Sequence, residues 1–221
     1  MDKSVGLRTA ARILMFYVFL FVLGGCAPEE PRLQILYDRG LPERHRQPVY
    51  RPPKPPPTGV YSSYPRWWVP PAAIERKWTA IVIHHSATET GDAASFGREH
   101  EHRGWEGVGY DFVIGNGTDS GDGEVEVTFR WKQQKTGAHC KTPDNWANER
   151  AVGICLVGDF TNRPPTMRQM RSLERLVEFL QKRYGIRKSL IYGHKDTPGA
   201  HVTECPGRYF PMSRLKSALA F

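Results

Sequence analysis

Between Thr79 and His84 the chain reads T-A-I-V-I-H, apolar and β-branched at most positions, and a polar segment follows. A short apolar run of that kind predicts a strand buried on both faces. "AVGICLVGDF", from Ala151 to Phe160, predicts a second buried strand, and "KSLIYGH" a last short one that ends at His194. "DAASFGREHEHRGW" predicts a helix that stops at Gly104, and "VGYDFVIGNGTDSGDGEVEVTF" predicts two strands around a Gly/Asp-rich turn. Pro165 and Thr166 open a longer helix. Its apolar positions Met170, Leu173, Leu176, Val177 and Leu180 fall on one helical face, and Gly185 closes it. Strands and helices interleave, so the expected fold class is α/β, a mixed central β-sheet flanked by helices, over residues 72–221.

The pattern changes before residue 72. Lys3, Arg8 and Arg12 precede an unbroken apolar run from Ile13 to Leu23. Eleven residues fall short of the ~20 that span a bilayer, and a charged region, a short apolar region and small residues in that order predict a secretory signal. Leu23-Gly24-Gly25-Cys26 resembles the bacterial lipobox, which implies a signal peptide over 1–25 and a lipidated Cys26 that anchors the chain to a membrane. Ala27 after that cysteine resembles the outer-membrane sorting pattern of Gram-negative cells, so the expected location is the cell envelope, facing the periplasm. Residues 26–71 include "VYRPPKPPPTGVYSSYPRWWVPP". Proline at that density favours extended polyproline backbone, and the segment is expected to be a semi-rigid tether, with Trp67 and Trp68 packing on the domain beyond it.

Charge alters this picture little. The formal net charge of +8 is spread along the chain, and residues 72–221 carry 21 Lys/Arg against 18 Asp/Glu. No basic block or RNA-type aromatic motif accompanies that small surplus, which argues against a nucleic-acid partner.

Candidate chemistry gathers at three places. "YGHKDTPGAHVTECPG" holds His194, His201 and Cys205, and the strand from Thr79 ends in His84-His85. Two histidines and a cysteine at strand ends suit a catalytic zinc, which takes three protein ligands and leaves a fourth position to water. They also suit two surface histidines and half of a disulfide. Strand alternation lets only one of His84 and His85 face a given side of the sheet.

"IVIHHSAT", "HEHRGWEGVGYDFVI", "GAHC", "ERAVGICLVGDF" and "YGHKD…TECPG", in this order and spacing, resemble the zinc-dependent N-acetylmuramoyl-L-alanine amidases of the phage lysozyme and peptidoglycan recognition protein type. The resemblance covers about Lys77 to Gly207. It implies a groove for the glycan and stem peptide of peptidoglycan, and cleavage of the amide between N-acetylmuramic acid and L-alanine. It also implies Zn2+ held by His84, His194 and Cys205, with His201 in a lengthened loop as rival third ligand. Tyr110 matches the family's substrate-orienting tyrosine. Thr203 stands two positions before the cysteine, where phage enzymes carry lysine and amidase-active recognition proteins carry threonine, and is expected to donate to the oxyanion. His139 matches a histidine at the groove edge, in substrate contact or in a structural role, and His100 matches a structural one. For a general base the nearest carboxylates in sequence are Glu106 and Asp196. Cys140 and Cys155 are the thiols left over for a disulfide.

Two rivals remain at this stage. A non-catalytic peptidoglycan-binding receptor would use the same groove, and a zinc peptidase would act on the stem peptide. The intact His84, His194, Cys205 set argues against the first, and the absence of an H-E-x-x-H sequence argues against the second.

Overall fold

The computed structural model describes residues 64–219. The signal segment, Cys26 and most of the proline-rich tether lie outside the described residues. Five strands form one mixed sheet: β1 (Ala80–His85), β2 (Phe112–Ile114), β3 (Val125–Val127), β4 (Ala151–Leu156) and β5 (Ile191–Gly193). Their order is β3-β2-β4-β1-β5, with β1 parallel to both β4 and β5, β2 parallel to β4, and β2 and β3 an antiparallel pair. All the strands foreseen from the sequence are there, with β1 shifted one residue toward His85.

Alternation along the two central strands sorts the side chains into two layers. Ile81, Ile83, Val152, Ile154 and Leu156 face the main core, where they meet α4 (Met167–Tyr184). Ala80, Val82, Ala151 and Cys155 face the other layer, the side toward which His84 also points. Helix α4 carries its apolar stripe Met170, Leu173, Leu176, Val177 and Leu180 into the core. It begins with a reciprocal capping box between Thr166 and Gln169 and ends at Gly185, whose φ of 69° is the left-handed geometry that favours glycine. On the opposite layer α1 (Ala93–His102) is opened by a capping box of Asp92 and Ser95, and the chain turns at Gly104 just past its end. Three short α-helices, α2 (Phe129–Gln133), α3 (Trp146–Arg150) and α5 (Met212–Ala218), have no clear periodic signal in the sequence, and three-residue 3-10 turns at Arg66–Trp68, Lys188–Leu190 and His194–Asp196 complete the described elements.

Among the described residues, packing on the core already includes Tyr64 and Trp68, ahead of the boundary at residue 72 that the proline content suggests. Trp68 is 3% exposed, packs on Tyr64 and Phe179, and its carbonyl accepts from Trp131 Nε1 at 2.8 Å. Proline density marks where the backbone is extended and says nothing about which indole the core has room for. Trp67, by contrast, is 43% exposed.

Candidate metal centre

The site lies at the carboxyl ends of β1 and β5, where an open α/β sheet places its ligand sites. Cross-strand register brings His84 beside Cys155 of β4, and β5 delivers His194 on the first residue of the turn that follows Gly193. Cys205 arrives from the loop after that turn, and its carbonyl accepts from Lys195 N at 2.8 Å, which ties the two ligand loops together. The candidate ligand atoms of His84, His194 and Cys205 all lie within 4.8 Å of one another. Cys205 Sγ is 3.7 Å from His84 Nδ1, and the His84 and His194 ring centroids are 4.7 Å apart.

The donor set fits zinc. Zn–N bonds of about 2.0 Å and Zn–S bonds of about 2.3 Å in a tetrahedron put neighbouring ligand atoms about 3.5 Å apart. The three atoms here lie within 4.8 Å of one another, slightly splayed from that spacing. Electrostatics match. Burial lowers His84 well below the usual histidine range and lowers His194 as well, so both rings are neutral, the form that binds a metal. Burial pushes the Cys205 thiol up to about 12, against the opposing donation from His85 N–H, 3.4 Å from Sγ. Without a cation the sulfur keeps its proton, and metal binding must release it.

Alternation settles the choice between the paired histidines. His84 is 1% exposed and points into the cluster. The His85 ring turns to the opposite layer, packs near Phe160, accepts from Phe160 N at 3.1 Å, and lies 3.8 Å from Asp159. His201 is exposed and stands outside the candidate cluster, whose third member is Cys205.

Tyr110 and Thr203 both border the ligands. The Tyr110 ring centroid is 5.2 Å from that of His84. Burial holds the phenol well above its ordinary value, so Tyr110 keeps its proton. Thr203 Oγ1 accepts from Cys205 N at 3.2 Å, which leaves the O–H itself free to donate elsewhere. No carboxylate belongs to the cluster. Glu106 is exposed and paired with Lys135, so it is poorly placed as a base.

His139, expected at a groove edge in substrate contact or in a structural role, is only 8% exposed, and its Nδ1 is 3.1 Å from His84 Nε2. His100, expected to be structural, accepts through Nδ1 from Gly109 N at 3.0 Å and packs its ring on Trp105. Cys140 and Cys155 are free thiols in separate apolar clusters.

Three supporting residues escaped the sequence reading. Asn148 Oδ1 accepts from both His139 N and Cys140 N, at 2.8 and 2.9 Å. Arg130 is buried and donates to the carbonyls of Val108, Thr136 and Glu106, which fixes the loop leading to Tyr110. Asp111 is fully buried and accepts from Gly153 N at 2.8 Å through Oδ2. The one signal available for Asp111 was its place beside Tyr110 in "GYDF".

Residues 74–208, well over half of the chain, match the family described as N-acetylmuramoyl-L-alanine amidase, and the chain belongs to that family. Among curated relatives it is 32% identical to peptidoglycan-recognition protein SC2 of Drosophila simulans over 105 residues, 47% of this chain and 50% of that protein. It is 33% identical to the endolysin of Enterobacteria phage T3 over 129 residues, 53% of this chain and 74% of the endolysin. The chain thus spans about half the length of the recognition protein it matches. Among solved structures, N-acetylmuramoyl-L-alanine amidase LysC from Clostridium intestinale aligns with a TM-score of 0.54 and 32% identity, over 64% of this chain and 84% of LysC. The mixed five-stranded sheet with its helices is therefore the fold of this family, as expected from the sequence.

Proposed function

We propose that the protein is a zinc-dependent amidase that hydrolyses the amide between N-acetylmuramic acid and L-alanine in peptidoglycan. The observation that carries this reading is the convergence of the His84, His194 and Cys205 ligand atoms within 4.8 Å, in a chain of the amidase family. When bound, Zn2+ supplies a Lewis acid for the lactyl carbonyl and lowers the pKa of water toward about 7. His84, His194 and Cys205 would hold that ion. Thr203, with its O–H free, donates to the oxygen on which charge develops. Tyr110 keeps its proton and orients the substrate carbonyl or the attacking water by donating a hydrogen bond. Burial of His84 and Cys205 keeps bulk water from the ligand side, which strengthens each of these interactions.

Digestion of purified muropeptides by zinc-loaded protein, followed by mass spectrometry, tests this. Free stem peptide beginning with L-alanine is the expected product. Binding with no new product would instead identify a peptidoglycan receptor. Cys205→Ala is expected to abolish both zinc stoichiometry and turnover, and activity that survived the substitution would remove the ligand assignment.

In this reading Cys26 carries lipid and anchors the enzyme in the cell envelope, at the outer membrane of a Gram-negative cell, with the proline-rich segment ahead of Tyr64 as the reach toward the wall. The order of charge, apolar run, small residues and cysteine supports it. Cys26→Ser is expected to move the protein from the membrane fraction to the soluble fraction, and unchanged membrane retention would count against lipidation.

A further inference from the structure

His139 sits in a seat built for its ring. A Cβ added at Gly153 would fall 2.4 Å from the imidazole Cδ2, and one at Gly137 would fall 2.5 Å from the same atom, so both glycines leave the space the ring occupies. Asn148 fixes the backbone on either side of it, because one side-chain oxygen accepts from His139 N and from Cys140 N. The amide of Asn148 cannot flip without loss, since its nitrogen donates to Asn145 Oδ1 at 2.8 Å.

Both ring nitrogens of His139 are then engaged. Nε2 lies 3.3 Å from the Ala151 carbonyl, which can only accept, so Nε2 carries the hydrogen. In a neutral ring Nδ1 is left as an acceptor, and it faces His84 Nε2 at 3.1 Å. His84 must therefore carry its hydrogen on Nε2. Its Nδ1 is left with a free lone pair on the side of Cys205 Sγ, 3.7 Å away.

We propose that the Ala151 carbonyl, His139 and His84 form a directional relay that sets the tautomer of His84, so that Nδ1 is presented to the metal and His139 acts as a positioning residue. This rests on the zinc amidase reading for its purpose, while the relay itself is a property of the metal-free protein. A ligating histidine commonly gives its second N–H to a carboxylate, a carbonyl or water. Here the acceptor is a second imidazole, oriented in turn by a strand carbonyl. With both of its nitrogens spent inside the fold, His139 has none to offer a substrate.

Two variants of the full chain and two readouts test the relay. His139→Leu removes the acceptor, and zinc affinity measured against a competing chelator is expected to weaken about ten- to hundredfold. His139→Asn returns an oxygen acceptor near the Nδ1 position and is expected to lose distinctly less. Nitrogen-15 NMR of the imidazoles in metal-free wild type is expected to show hydrogen on Nε2 of both His84 and His139. In His139→Leu the His84 signal is expected to shift toward a mixture of tautomers. Hydrogen on Nδ1 of His84 in the wild type overturns the proposal, as does an equal loss in the Leu and Asn variants or unchanged affinity in a folded Leu variant. If wild-type protein binds no zinc, the amidase reading fails, and the NMR measurement still decides the relay.

Discussion

Asp111 offers a test of the electrostatics beneath the site. The carboxyl is 0% exposed, Oδ2 accepts from Gly153 N, and Oδ1 has no hydrogen-bond partner. Burial raises it from an ordinary value of 3.8 to about 7, against the opposing pull of the Gly153 N–H and the Arg130 charge. Between those two values the folded protein holds a proton that the unfolded chain has lost. Stability from this group is therefore complete below pH 3.8 and declines as pH rises toward 7. The whole gap corresponds to about 4 kcal/mol, of which about 3 kcal/mol falls between pH 5 and pH 8.5, since the unfolded carboxyl is already ionised at pH 5. Asp111→Asn keeps an oxygen for the Gly153 N–H and removes the ionisation. It also buries an amide N–H where Oδ1 has no partner, at a pH-independent cost of about 1–3 kcal/mol. Urea unfolding of metal-free wild type and variant at pH 5 and pH 8.5 separates the two effects. The variant is expected to gain about 3 kcal/mol on the wild type between pH 5 and pH 8.5 and to be the more stable protein at pH 8.5. His84 and His139 also titrate on the acid side, but they do so in both proteins and cancel in the difference. A stability difference of the same size at both pH values would refute the claim that burial holds this proton.

Other substitutions probe separate links of the argument. Trp68→Ala is expected to destabilise the protein by about 3–5 kcal/mol in urea unfolding, because it empties a core site; a loss below about 1 kcal/mol would return residues 64–71 to the tether. Thr203→Val should lower kcat by about 10²-fold with zinc stoichiometry retained, and an unchanged kcat would exclude the hydroxyl from the reaction. Tyr110→Phe keeps the ring contacts with His84 and His100 and loses only the donor, so kcat/KM is expected to fall by about tenfold to hundredfold without change in zinc affinity. Thr166→Ala removes the side-chain cap of α4 and should cost about 1 kcal/mol of stability, measured by thermal unfolding, with no effect on metal binding.

Some of the site was legible because its cause is local. Alternation along β1 restricted which of His84 and His85 could face the ligands, and family resemblance favoured His84, which the structure places among them. The Thr166 cap, the stripe from Met170 to Leu180 and the stop at Gly185 are all short-range patterns, and α4 follows them. Packing partners remote in sequence were not legible: Trp68 packs on the domain as expected, but against Tyr64 and Phe179, residues more than a hundred positions apart.

By itself, then, the sequence determined which segments are strands, where the helices α1 and α4 begin and end, and the residue types that can bind a metal. Periodicity and capping act over a few residues, and the chain carries them in plain order. Only the tertiary structure decided that His139 belongs beneath His84, that Asp111 is sealed under Gly153, and that His201 stands outside the cluster. Those relations depend on register between β1, β4 and the loops that cross them. A hydrogen's place on an imidazole, or a carboxyl's hold on its proton, is set by neighbours that are remote in sequence and adjacent only after folding.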